Sequence, residues 1–222
     1  MEHPHWPLFD LRIRTARLEI RLPSDEDLEV LANVALKGVH DPATMPFLQP
    51  WTDQPSPLLE RGLMQWAWRH RAEWTPAKWT FNAAVVFDGN LVGVQDISAE
   101  DFASSRSVTT GSWLGLEHQG QGIGKEMRAA MLHFAFVGLG AAEANSGGFA
   151  DNTASMNVSR YSGYEEIGRE AALRRGVPSE LIKFRLDREK WETMDHVAVD
   201  IEGLDHCLGY FVAPLDAPSS ST

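Results

Sequence analysis

Cysteine is nearly absent, with Cys207 the one thiol in 222 residues. No internal disulfide framework and no multi-cysteine metal site can be built from it, and a reducing compartment fits. Cys207 itself reads as a small buried apolar residue. Positive charge is also scarce: 20 Lys and Arg stand against 31 Asp and Glu, for a formal net charge of −11. Gripping a phosphate backbone needs clustered cations, so no nucleic-acid partner is expected. An acidic surface favours cationic partners instead. Long apolar runs are missing as well. None approaches the roughly 20 residues that span a bilayer, and the start MEHPHWPLFDLRIRTARLEI lacks the basic stretch and apolar core of a secretory signal. The expectation is a soluble cytoplasmic protein with no membrane partner.

What is present is ordinary for a folded chain: 43% hydrophobic and 23% charged residues, with 18 Gly and 12 Pro. One domain over residues 1–210 is expected, followed by a flexible tail at 211–222 whose end, APLDAPSSST, has the composition of frayed chain. A short strand at Leu18–Arg21 precedes a helix capped near Ser24 and Asp25 and running to about Lys37. The proline-rich GVHDPATMPFLQPWTDQPSP leads to a second helix, about Leu58 to Glu73. The period then shifts to two, and WTFNAAVVF-DGN-LVGVQDI reads as a hairpin, because Asp-Gly suits a tight turn. A third strand, about Val108 to Leu116, ends at HQGQGIGKEM. In the helix after it Met127, Ala130, Met131, Phe134 and Val137 share one face, leaving Arg128 and His133 on the other. A strand in AAEANSGGF, a short helix from Asn152 to Gly163, strands near Glu165–Arg169 and Leu181–Leu186, and a last strand in HVAVDI complete a mixed α/β order.

The glycine loop carries the chemistry. Three glycines within five residues, Gly120, Gly122 and Gly124, mark a backbone that turns sharply or approaches a ligand closely. Backbone N–H groups at a helix N-terminus are built to meet phosphate. A Walker A loop would need glycine at Gln119 and a hydroxyl at Glu126. A dinucleotide fingerprint would need a third glycine at Lys125. Both readings fail, which leaves Gln119-x-x-Gly122-x-Gly124.

That pattern resembles the acyl-CoA pyrophosphate loop, [QR]-x-x-G-x-[GA], of the GNAT N-acyltransferase superfamily. About thirty residues on, DNTASMNVSRYSGYEEIGRE resembles the N-x-x-S-x-x-V-x-x-x-x-G-[FY] segment of the RimJ/RimL-like branch, at Asn152, Ser155, Val158, Gly163 and Tyr164. The likeness runs from about Thr15 to Trp191. HWPLFDLRI and GVHDPATMPF further resemble a subgroup in which succinyl-CoA, besides acetyl-CoA, serves as donor. The resemblance implies a mixed, mostly antiparallel central sheet flanked by helices, with splayed strands that bind acyl-CoA as co-substrate and no metal.

By the same resemblance, backbone groups of Trp113, Leu114, Gly115 and Leu116 pair with pantetheine, and the amide of Trp113 or Leu114 is the oxyanion donor. Gln119, Gly120, Gln121, Gly122, Ile123, Gly124 and Lys125 take the pyrophosphate, and Asn152 meets pantetheine. Asn152, Ser155 and Ser159 fall within about 60° on a helix and can face one cleft. Ser155 or Ser159 is then the candidate to protonate the departing thiolate. Ser159 stands where many relatives carry Tyr. For the general base, GVQDISAED offers Asp96, Glu100 and Asp101, or a water chain serves. Asn152 also reads as a simple helix cap, and His40 and His118 as acceptor-side or plain surface groups. The acceptor expected is a primary amine, on a small molecule or on a protein or peptide, and a homodimer is compatible with the chain. The alternative is a non-catalytic CoA-binding or ligand-sensing module on the same frame.

Overall fold

The computed structural model describes residues 3–212. Its strands are β1 (Arg12–Arg14), β2 (Leu18–Arg21), β3 (Lys78–Phe87), β4 (Asn90–Glu100), β5 (Ser107–Leu114), β6 (Glu143–Phe149), β7 (Glu165–Arg174), β8 (Val177–Asp187) and β9 (Asp200–Glu202). The helices are α1 (Asp25–Leu36), α2 (Leu58–Ala72), α3 (Phe102–Ser105), α4 (Ile123–His133), α5 (Thr153–Tyr161), α6 (Arg188–Glu192) and α7 (Leu204–Phe211). The strands form one sheet in the order β7-β8-β6-β5-β4-β3-β2-β1-β9. Every neighbouring pair is antiparallel except β5 and β6, which run parallel and are joined by a crossover through α4.

Local chemistry explains the elements that frame the site. Ser24 Oγ accepts from the Asp27 N–H at 3.1 Å while Asp27 accepts from the Ser24 N–H at 2.8 Å, a reciprocal cap that starts α1. Asp88 and Gly89 both take positive φ, 50° and 74°, as a tight β3–β4 hairpin demands. The side chains of β3 and β4 alternate between two cores. Ala83, Val85 and Ile97 meet Ile123, Met127, Ala130 and Met131 of α4. Ala84 and Val94 meet Leu28 and Leu31 of α1 and Ala67 of α2. Helices therefore cover both faces of the sheet.

Three features depart from the sequence reading. The strand expected in HVAVDI is only Asp200–Glu202, added to the sheet edge beside β1, which the sequence reading had not assigned. Behind it, α7 buries Cys207 and Phe211 completely, and the Phe211 ring packs edge-on against Trp74, Trp79 and Phe134. The indoles of Trp74 and Trp79 donate to the carbonyls of Tyr210 at 2.8 Å and Phe211 at 2.9 Å. So Phe211, the first residue of the expected tail, is part of the core, while 213–222 lie outside the described residues. An eight-residue helix anchored by two apolar residues is too short for periodicity to reveal. Third, Arg128 does not lie on an exposed face: it is 4% exposed, because α4 packs against a sheet that opens beneath its second turn.

Gly93 fixes the approach of β4 to β5. It pairs with Leu114, and a Cβ there would press into the Trp113 carbonyl oxygen and stand 2.9 Å from the Leu114 Cα. Gly93→Ala is expected to cost about 1–3 kcal/mol by overpacking. Thermal denaturation should show the midpoint lowered by several degrees, and an unchanged midpoint would mean that the strands part freely here.

Candidate active site

β5 and β6 pair for only three residues, Ser107–Thr109 with Glu143–Asn145. Beyond this point β5 continues to Leu114 and β6 to Phe149, but they have separated. The outer edges stay bound, β5 to β4 through Leu114 and β6 to β8 through Phe149. The result is a wedge-shaped gap in the middle of the sheet, lined by backbone. The direction of that backbone follows from one bond: the Gly115 N–H donates to Val92 O on the β4 side at 2.9 Å. Antiparallel alternation then turns the N–H groups of Ser112 and Leu114 to the opposite edge, into the gap.

The glycine loop sits at the open end. Gly120 and Gly122 have φ of 73° and 81°, and Gly122 in this left-handed conformation is the N-cap of α4. The first N–H groups of α4 have no acceptor within the helix and face outward. The Gln119 side chain latches the loop, donating to Val39 O at 2.7 Å and to Leu114 O at 2.9 Å. Gly124 packs toward Val158 of α5 and Leu114, which stand 3.6 and 3.8 Å from the place of a Cβ. Lys125 reaches over the Tyr161 ring, 4.3 Å from its centroid. Arg17, unassigned in the sequence reading, also stands here: it ion-pairs with Glu126 at 2.5 Å and bonds Gln121 O at 3.4 Å. No local motif marks it, because it comes from the start of the chain by way of the β1–β2 hairpin.

On α5, Asn152 Oδ1 accepts from the Ser155 N–H at 3.1 Å, so this side chain does cap its helix. Ser155 is partly exposed, with its Oγ 3.1 Å from where a Gly148 Cβ would project. Ser159 is buried, at 1% exposure.

On the α1/α2 face of the sheet, Asp96 stands opposite Gly111 at the level of the gap. A Cβ on Gly111 would come within 2.8 Å of its Oδ1. Burial pushes the Asp96 carboxyl above the usual aspartate range, opposed by the Arg128 charge, a hydrogen bond from the Gly111 backbone and the nearby His70. Glu100, at the far end of β4, is exposed and ion-paired with Lys78 at 2.5 Å, and Asp101 is exposed in the following turn.

The loop between α1 and α2 leans on the same face. Rings of His40, Phe47, Trp51 and Trp113 follow one another at 5.7, 5.3 and 5.7 Å. His40 Nδ1 donates to Asp41 O at 2.8 Å, so its Nε2 accepts from Thr52 Oγ1 at 2.6 Å. Both nitrogens are occupied in holding the loop. His118 lies beside the glycine loop, 3.5 Å from Glu117. The loop is clasped by the β7–β8 turn: Arg175 grips Asp53 at 2.6 and 2.7 Å and Pro42 O at 3.2 Å, and Arg174 donates to Met45 O at 3.4 Å while it pairs with Asp151, just before α5, at 2.7 and 2.8 Å. The loop thereby runs from β5 to the β7–β8 turn across the mouth of the gap. Nothing in sequence spacing joins residues 53 and 175.

A mostly antiparallel sheet whose one parallel pair parts, with a glycine loop at the opening, is the frame of an acyl-CoA-dependent acetyltransferase. The family model described as the acetyltransferase (GNAT) domain matches residues 17–165, more than half of the chain, and the chain belongs to that family. Among solved structures it is similar to Mycobacterium smegmatis RimJ in complex with CoA-disulfide, with 19% identity, TM-score 0.68, and 93% of this chain and 96% of that chain covered. It is also similar to RimL, the ribosomal L7/L12 alpha-N-protein acetyltransferase in complex with coenzyme A, with 18% identity, TM-score 0.63, and 78% and 95% covered. A spermidine N-acetyltransferase SpeG chimera from Vibrio cholerae and hSSAT matches at 18% identity and TM-score 0.63, with 81% and 100% covered. The fold is RimJ/RimL-like.

The raised Asp96 carboxyl makes a signed prediction. Below the ordinary aspartate value both states hold the proton and the group costs nothing. As pH rises past it the unfolded chain releases its proton first, so the penalty on the native state grows until the folded value is passed. Asp96→Asn is therefore expected to melt higher than wild type at pH 8, with the gap closing toward pH 4. Melting curves over that range check it, and a variant that is less stable at pH 8 overturns the direction.

Proposed function

We propose that the protein is an N-acyltransferase that moves an acyl group, acetyl or succinyl, from acyl-CoA to a primary amine by direct attack in a ternary complex. The observation that carries this reading is the β5–β6 gap opening beside the Gly120–Gly124 loop. Pantetheine pairs with the free edge of β5 as an added strand. The pyrophosphate rests on the backbone N–H groups of residues 120–124 and the N-terminus of α4, with Lys125 and Arg17 adding charge, whereas the expected Gln119 N–H is already donated to Leu116 O at 3.2 Å.

Of the two oxyanion candidates, the N–H alternation favours Leu114, since Trp113 turns toward β4. The neutral amine attacks the thioester carbonyl carbon and the C–N bond forms. Collapse of the tetrahedral intermediate then breaks the C–S bond. The surplus amine proton goes to Asp96, directly or through water; the thiolate takes a proton from Ser155 or from water, giving amide and CoA, and the donor is reprotonated from solvent as Asp96 releases its proton there. Asp96 suits the base because its raised affinity for a proton and its level in the sheet coincide. Ser155 suits the acid better than Ser159, which is buried. Asn152 keeps its amide nitrogen for pantetheine while its oxygen caps α5.

The acceptor is a protein N-terminus, a Lys side chain or a small amine. The net charge of −11 draws cationic acceptors, and similar proteins named for a ribosomal-protein N-terminus and for spermidine point the same way.

Thermal shift with acetyl-CoA, succinyl-CoA, CoA and ATP, on wild type and Gly122→Trp, tests the donor site. Stabilisation by CoA species that is lost in the variant is expected. A response to ATP alone, or none to CoA, refutes the reading. In an amine panel with CoA release as readout, Asp96→Asn should lower kcat by roughly 100-fold or more, and Ser155→Ala by less, because water can replace a hydroxyl. CoA binding without turnover for any amine would favour a non-catalytic module.

A further inference from the structure

Arg128 is the buried charge that the transfer chemistry above does not use. Its guanidinium lies on the α4 face at the narrow end of the gap, where hydrogen bonds reach Ser112 on β5 at 3.4 Å, Ser146 on β6 at 3.2 Å and the Gln95 carbonyl on β4 at 3.4 Å. Tyr164 completes the surround, with its ring centroid 5.9 Å from the guanidinium and its hydroxyl 2.9 Å from Thr110 Oγ1. All of these partners are neutral, and the three side-chain bonds to β4, β5 and β6 are long for a cation that has five N–H donors. Among the described residues no carboxylate lies within ion-pair distance of it. The nearest acidic influence, Asp96, stands on the other face of the sheet.

A guanidinium 4% exposed and held only by neutral oxygens is costly to keep. It is also prepared for an anion. The anion must arrive through the gap, because β4, β5, β6 and α4 close the other sides. Two residues of strand, roughly 7 Å, separate Ser112 from Leu114. A carboxylate three carbon–carbon bonds beyond a thioester carbonyl held at the Leu114 N–H covers this span once its hydrogen bond is added.

Resting on the acyltransferase reading above, we propose that Arg128 receives the terminal carboxylate of the donor's acyl chain, so that the preferred donors are CoA thioesters of short dicarboxylic acids. Ser112 and Ser146 steady the guanidinium until the carboxylate replaces them in a two-pronged ion pair. Monocarboxylic donors leave it without a counter-charge and are used less well.

The test compares kcat/KM for succinyl-CoA with that for butyryl-CoA, which has the same number of acyl carbons and no charge, using one amine acceptor. Wild type is expected to favour succinyl-CoA by roughly 10- to 100-fold, the worth of a buried charge-assisted hydrogen bond. In Arg128→Met this ratio should fall to near one, whatever the overall rate. Ser146→Asp, which sets a carboxylate against the guanidinium while leaving it in position, should collapse the ratio equally and covers the case in which Arg128→Met does not fold. A wild-type ratio near one, or a ratio that survives in the variants, overturns the proposal and makes Arg128 a purely structural wedge. If calorimetry detects no binding of free CoA and no donor turns over, the acyltransferase reading itself has failed.

Discussion

Everything in this structure turns on hydrogen bonds that β5 and β6 do not make. Two parallel strands that pair at Thr109 and Asn145 and then part leave backbone donors and acceptors exposed inside a sheet, where such groups are almost always satisfied. The opening is held by its frame: β4 and β8 bind the outer edges, and Arg128 bridges the two serines at the bottom. Thr110 and Tyr164, whose hydroxyls are 2.9 Å apart, close the inner end. The cleft is thus framed by strands whose outer edges are bound.

The sheet also separates two chemistries. On the α4 face lie the glycine loop, Lys125, Arg17 and the buried guanidinium, a side suited to anions. On the α1/α2 face lie Asp96, Trp113 and the aromatic row of the proline-rich loop, the side that the proposed function gives to the acceptor. In the function proposed above, the two reactants meet at the gap between these faces. Asp96 feels the Arg128 charge through it.

Much of this is legible in the sequence. The glycine spacing, the Asp-Gly hairpin and the Asn152 cap depend on neighbours in sequence, and each lies where its local signal puts it. What stayed hidden depends on distance along the chain. Arg128 read as a surface residue because helical periodicity reports an apolar stripe and is silent about a sheet that opens below it. Arg17, Arg174 and Arg175 act on residues more than twenty positions away, and α7 joins the core through contacts to Trp74, Trp79 and Phe134 that no window of sequence spans. Asp96, Glu100 and Asp101 are equal acids in sequence; only in the fold does Asp96 stand opposite Gly111 at the level of the gap.

Gln119 ties these parts together. Its single amide group holds the end of β5 and the start of the proline-rich loop at once, and the Leu116 N–H, bonded to Gly38 O at 3.0 Å, doubles the joint. The far end of that loop is riveted to the β7–β8 turn by Arg175 and Asp53. The loop is thus a beam fixed at both ends, with one support on the glycine loop itself. Because both supports are hydrogen bonds to backbone carbonyls or a carboxylate pair, the loop's place beside the gap is set by β5 and the β7–β8 turn rather than by its own proline-rich sequence.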